Sequence, residues 1–188
     1  MKSDYSIDIP AGVGISLNHL RQLNLLSEHG LSHIVAVINS EKFLLSLEPV
    51  RFASQALSKI ASHNIRIFFV TGRFPCNYSV TQQWLAKNNI PYHKLFHFDK
   101  HNTFPSSFYS SANCIGVKAL RSFCFQFWIE DSPVMIDIIR RLSNTNIIVF
   151  SRRWNRAIRP RKDLIYANNW EEIEDILTNR NQPEQIAP

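Results

Sequence analysis

One amide limits the chemistry open to this chain. Asn39 stands directly behind the apolar run Ile34–Ile38, as Thr71 stands behind Ile65–Val70 and Asp131 behind Phe125–Ile129. An amide cannot attack phosphorus to form an acyl-phosphate, because its nitrogen lone pair is delocalised and its oxygen carries no full charge. Of the three residues that end these runs, Thr71 and Asp131 keep reactive or ligating groups, and Glu41 supplies a carboxylate two residues beyond the amide. A fourth feature is a cation cluster. The segment from Ser151 to Lys162 holds Arg152, Arg153, Arg156, Arg159, Arg161 and Lys162 with no acid among them. Such a cluster binds phosphate-bearing ligands or nucleic acid, or is a solvated loop that raises the isoelectric point.

The elements that must position these residues follow from hydrophobic pattern. Ile34–Ile38, Ile65–Val70, Leu95–Phe98, Phe125–Ile129 and Ile147–Phe150 are short continuous apolar runs, the pattern of strands buried on both faces. Between them, spaced apolar residues predict helices over Val50–Ser62, Asn77–Asn89, Ile115–Ser122, Val134–Leu142 and Glu171–Leu177, with Pro49 and Pro133 just ahead of a first turn and Asn88-Asn89 as a stop. A further short helix is expected from Leu17 to Glu28. Asp99 to Asn113 shows no period. Strands alternating with helices predict an α/β fold, a single Rossmann-like doubly wound parallel sheet. Ligands of such sheets bind beyond the carboxyl ends of the strands, where Asn39, Thr71 and Asp131 are expected.

Composition narrows the classes. The chain has 188 residues, is 45% hydrophobic and 12% aromatic, and carries a net charge of +6. That length and content fit one globular domain. The division expected is a lead-in with a short helix over 1–33, an α/β domain over 34–178 and a flexible tail over 179–188. Cys76, Cys114 and Cys124 follow no metal-binding or disulfide spacing, which favours a reducing compartment. No apolar run approaches the roughly 18–20 residues of a membrane span, and the first residues lack a basic-then-apolar leader, so a cytoplasmic protein without membrane partners is expected.

From Glu48 to about Leu177 the chain resembles the haloacid dehalogenase (HAD) superfamily, in particular its small 5'-nucleotidase-like members. The matching words are Leu47-Glu48-Pro49, Val70-Thr71-Gly72-Arg73, Trp84-Leu85 before Ile90-Pro91-Tyr92, Ile129-Glu130-Asp131-Ser132-Pro133, and Trp154-Asn155-Arg156 ahead of Asn169-Trp170-Glu171. The resemblance implies a HAD-like fold with no substantial cap domain. It implies that Thr71 and Gly72 hold phosphoryl oxygens together with Lys118, with Lys100 as the alternative cation. It makes Asp131 the Mg²⁺ ligand, supported by Glu130 and Asp137. At the first motif, where the family carries Asp-x-Asp, this chain reads Asn39-Ser40-Glu41, with Lys42 where a glycine is common. Asn39 then occupies a degenerate nucleophile position and Glu41 the acid/base position, and Mg²⁺ binding is weakened by the missing carboxylate.

Three readings follow. The first is a pseudoenzyme: a HAD-fold protein with a degraded phosphatase site that binds a phosphorylated ligand or a macromolecular partner, the latter through Arg152, Arg153 and Arg156. The second is an active Mg²⁺-dependent phosphomonoesterase, a nucleotidase-like hydrolase. The third is a nucleic-acid-binding module. Asn39 separates the first two, and a steep salt dependence marks the third.

Overall fold

The structure is a computed structural model that describes residues 27–99, 104–110 and 113–179. Its first element corrects the sequence reading. Ile34–Ile38 is not a strand: it is the second half of helix α1, Glu28–Ile38. The Ser27 side chain caps the helix by accepting the Gly30 N–H at 3.1 Å, and Glu28 lies in the first turn where the helix dipole favours an acid. Leu31 is its one buried residue, and Val37 is 43% exposed, so the run packs one stripe instead of two faces. A second short helix, α2 (Glu41–Ser46), follows at once. The helix expected from Leu17 and nearly all of the expected tail lie outside the described residues.

Helix α3 (Ala53–Ser62) starts after Phe52, which sits in the left-handed region at φ 63°. Beyond it come strand β1 (Phe68–Thr71), helix α4 (Tyr78–Lys87) and strand β2 (Lys94–Asp99). The expected stop of α4 is borne out: Asn89 takes φ 53° and the Ile90 N–H returns to the Leu85 carbonyl at 2.9 Å, a left-handed closure that asparagine tolerates. The helix expected over Ile115–Ser122 resolves into strand β3 (Cys114–Gly116) and a 3₁₀ turn, Val117–Ser122. Strand β4 (Phe127–Glu130), helix α5 (Pro133–Leu142) and strand β5 (Asn146–Phe150) follow the sequence pattern closely. Strand β6 (Leu164–Ala167) and helix α6 (Trp170–Asn179) complete the described chain.

All pairings are parallel, in the orders β1-β2-β3 and β4-β5-β6. Where one sheet is expected there are two three-stranded ladders, because the run expected to be the first strand is helical and joins neither. The fold is α/β and Rossmann-like. Side chains of the two ladders pack together. Phe69 of β1 packs in the same cluster as Phe127 and Ile129 of β4 and Ile148 of β5, closed by α3, α4 and α6. Val70 of β1 and Trp128 of β4 share the opposite cluster with Met135, Ile136 and Ile139 of α5. Adjacent residues of each strand thus serve opposite faces, both covered by helices. Phe68 and Phe125 meet across the join at 5.3 Å between ring centroids.

Candidate functional site

The chain runs from β1 through β2 to β3 in one ladder and from β4 through β5 to β6 in the other. The edge strands β1 and β4 face each other through side chains, Phe68 of β1 meeting Phe125 just ahead of β4, and the winding direction reverses between them. In open α/β sheets that reversal leaves a crevice beyond the strand ends, because the connections on either side depart in opposite directions. Thr71-Gly72-Arg73 and Glu130-Asp131-Ser132 follow these two strands.

At the end of β1, Thr71 Oγ1 accepts the Arg73 N–H at 3.2 Å, which folds the chain back over the strand. Gly72 is exposed, and a Cβ added there would meet nothing within 4 Å, so the mouth is open. Arg73 turns inward. Its guanidinium donates to Thr81 Oγ1 at 3.3 Å and lies 5.5 Å above the Trp84 ring. Burial lowers its pKa, and no acid among the described residues acts the other way.

At the end of β4, the Glu130 carboxylate turns back on the chain. Its Oε1 accepts the backbone N–H groups of Asp131 and Ser132, both at 2.9 Å. Burial pushes its pKa up against those two bonds, and the adjacent Asp131 carboxylate adds to the rise. Ser132 caps α5 by accepting the Met135 N–H at 3.4 Å, and Pro133 occupies the first turn, where no N–H is needed. The Asp131 carbonyl accepts from Trp154 Nε1 at 3.1 Å and from Asn155 Nδ2 at 2.9 Å. Asn155 also donates to the Phe150 carbonyl at 2.8 Å, so one buried amide joins the ends of β4 and β5. Among the described residues no three His, Cys, Asp or Glu side chains converge. A magnesium ion here would therefore rest on Asp131, with Glu130 behind it, and keep most of its water.

The other sequence candidates scatter. Asn39 sits at a helix junction, not at a strand end. Its Nδ2 donates to the Val35 carbonyl at 2.8 Å and its Oδ1 accepts from the buried Asn77 at 3.2 Å, so the amide clasps α1 to the approach of α4. Ser40 caps α2 through the Phe43 N–H, and Glu41 and Lys42 are exposed in its first turn. Lys118 is exposed on the turn after β3. β3 is separated from β1 by β2, and two strand spacings put Lys118 on the order of 10 Å from the β1 end. Among the described residues no hydrogen bond or ion pair joins Thr71, Lys118 and Asp131, and Lys100 lies outside those residues. In the arginine segment, Arg152 lies over the Phe150 ring at 3.6 Å and donates to the Ser151 carbonyl, whereas Arg153 and Arg156 are exposed. Asp137 pairs with Arg141 one helical turn on.

The polar interior residues of β2 are not among the site residues expected from the sequence. His97 and Asp99 are each 1% exposed. His97 Nδ1 bonds the Arg73 carbonyl at 2.8 Å, Nε2 has no partner among the described residues, and burial lowers the ring's pKa. Asp99 accepts the Tyr109 hydroxyl and the Phe104 N–H, and that carboxylate pushes Tyr109 up to about 12. Alternation of His97 and Asp99 with Phe96 and Phe98 was the available clue. The three cysteines are free, and no helix of the described residues is long and apolar enough to cross a membrane. No protein-family model matches this sequence, and no curated protein matches it.

Proposed function

We propose that the protein binds a phosphate-bearing ligand at the ends of β1 and β4 and does not hydrolyse it through an aspartyl-phosphate. The observation that carries this reading is that no described strand end offers an Asp-x-Asp. Asn39, the expected nucleophile position, sits instead at a helix junction, where its Nδ2 bonds Val35 of its own helix and its Oδ1 accepts from Asn77. Thr71 and the open Gly72 supply a hydroxyl and backbone N–H groups at the reversal point, where a phosphoryl group is bound by donors and not by chemistry. The HAD resemblance of the words around Thr71 and Asp131 supports the same placement, with Asp131 as the metal-side carboxylate and Mg²⁺ bound weakly. In this reading the exposed Arg153 and Arg156 extend the site toward a phosphorylated or macromolecular partner.

The test has two arms on the full chain. With a generic phosphate monoester and Mg²⁺, no turnover is expected; a rate that disappears in Asp131→Ala would establish the active hydrolase instead. Phosphate in the millimolar range should raise the melting temperature by mass action. That rise should be reduced in Thr71→Val, and no rise with the wild-type protein removes the site.

A further inference from the structure

We propose that the cleft between β1 and α4 is a binding site for a short-chain carboxylate, with the Arg73 guanidinium as its counter-ion. The cleft has a volume of about 110 Å³ and is lined by Phe69, Thr71, Arg73, Thr81, Trp84, Leu85 and Leu95. A dry protein cavity of about 150 Å³ holds benzene, so this one suits a body of about four to six non-hydrogen atoms. Phe69, Leu85, Leu95 and the Trp84 ring give it hydrocarbon walls. The cation sits among them.

Among the described residues Arg73 is unmatched in charge. Its described partners are the neutral Thr81 hydroxyl at 3.3 Å and the face of Trp84. The Thr81 hydroxyl spends its proton on the Asn77 carbonyl at 2.7 Å, so it meets the guanidinium as an acceptor and is fixed there. That leaves most of the five guanidinium donors without an acceptor among the described residues. No described acid forms an ion pair with Arg73. His97, whose ring bonds the Arg73 carbonyl, is biased toward its neutral form by burial and brings no negative charge. A half-buried cation without a counter-charge is costly to keep. A carboxylate matches the guanidinium fork with two parallel bonds, and its alkyl part would lie on the apolar walls. One cation and one engaged hydroxyl suit a monoanion better than a phosphate dianion. Gly72 is exposed beside the cleft, and among the described residues nothing lies within 4 Å of a Cβ built there. The cleft shares Thr71 with the phosphate reading but is carried by Arg73, Trp84, Leu85 and Leu95, which that reading does not use.

The experiment uses the full chain and isobutyrate as the probe. Isobutyrate should raise the melting temperature along a single-site saturation curve, whereas chloride at equal ionic strength should not. Arg73→Gln should weaken binding about tenfold to a hundredfold, the effect of losing a charge-assisted pair. Should Arg73→Gln fail to fold, a brominated isobutyrate decides on the folded wild type. It should quench tryptophan fluorescence saturably, be displaced by isobutyrate, and lose that component in Trp84→Phe. Quenching that stays linear to tens of millimolar, or binding unchanged in a folded Arg73→Gln, overturns the proposal. A phosphate shift equal to that of isobutyrate and equally sensitive to Arg73→Gln also overturns it, since the guanidinium would then serve phosphate.

Discussion

Asn39→Asp distinguishes a vacant catalytic position from a structural joint. The substitution keeps the Oδ acceptor for Asn77 but removes the donor that meets the Val35 carbonyl at 2.8 Å. Loss of that bond costs about 0.5–1.5 kcal/mol. The new charge also lies at the carboxyl end of α1, where the helix dipole opposes an anion by about 0.3–1 kcal/mol. The expected loss is therefore about 1–2.5 kcal/mol, or roughly 2–10 °C in melting temperature for a domain of this size. Urea unfolding should show a lower midpoint with an unchanged slope. The variant should recover in acid. The folded state disfavours the charged carboxyl, so its folded pKa lies above the unfolded one. The favourable contribution is then complete below the unfolded value and lost as pH rises through the folded value. A variant as stable as wild type at neutral pH would refute the clasp, and a gain of Mg²⁺-dependent turnover would refute the whole account of Asn39.

Ile148→Ala should cost about 2–5 kcal/mol in the same urea assay, because Ile148 is fully buried at the centre of its ladder and its loss leaves a cavity. His97 titrates below its ordinary value because of burial, so the unfolded chain takes up the proton first. Stability should be full above about pH 6.5 and fall as pH drops from there through the lower folded value, and His97→Gln should flatten that slope in melting curves. Asp163, held by Arg140 and then Arg161, should titrate at about 2 in an NMR experiment. Its stabilising effect is present above the unfolded carboxylate range and lost as pH falls through about 2. Because the pair is exposed, molar salt should erase the difference between wild type and Asp163→Asn.

Strands β1, β4 and β5 were readable because they are apolar runs closed by glycine, proline or serine, and the helices between them repeat every three or four residues. Ile34–Ile38 failed for a physical reason. Five β-branched or small residues satisfy a buried strand and half of a helix alike, and the deciding signal was the cap at Ser27. The outer strands escaped notice because three residues at Cys114–Gly116 and four at Leu164–Ala167 are too short for a pattern, the latter behind an arginine cluster. At the site, the ends of β1 and β4 were legible from the residues that follow them. The inward turn of Arg73 was not, since its partners Thr81 and Trp84 come from a helix whose orientation only packing sets. Arg152 was read as a free cation, yet its guanidinium lies on Phe150, a contact between residues two apart that no spacing rule distinguishes from exposure.

The join between β1 and β4 has a thermal consequence. Within each half, strands are held by directional ladder bonds; across the join, among the described residues, no ladder bond forms, and adhesion falls to Phe68, Phe69, Val70, Phe125 and their neighbours. Apolar adhesion weakens on cooling, whereas backbone ladders depend on it less directly. Lowering the temperature should therefore loosen this boundary before it loosens either three-stranded half. Near freezing, NMR contacts between the Phe68 and Phe125 rings should weaken first, with the β2 and β5 amides still protected.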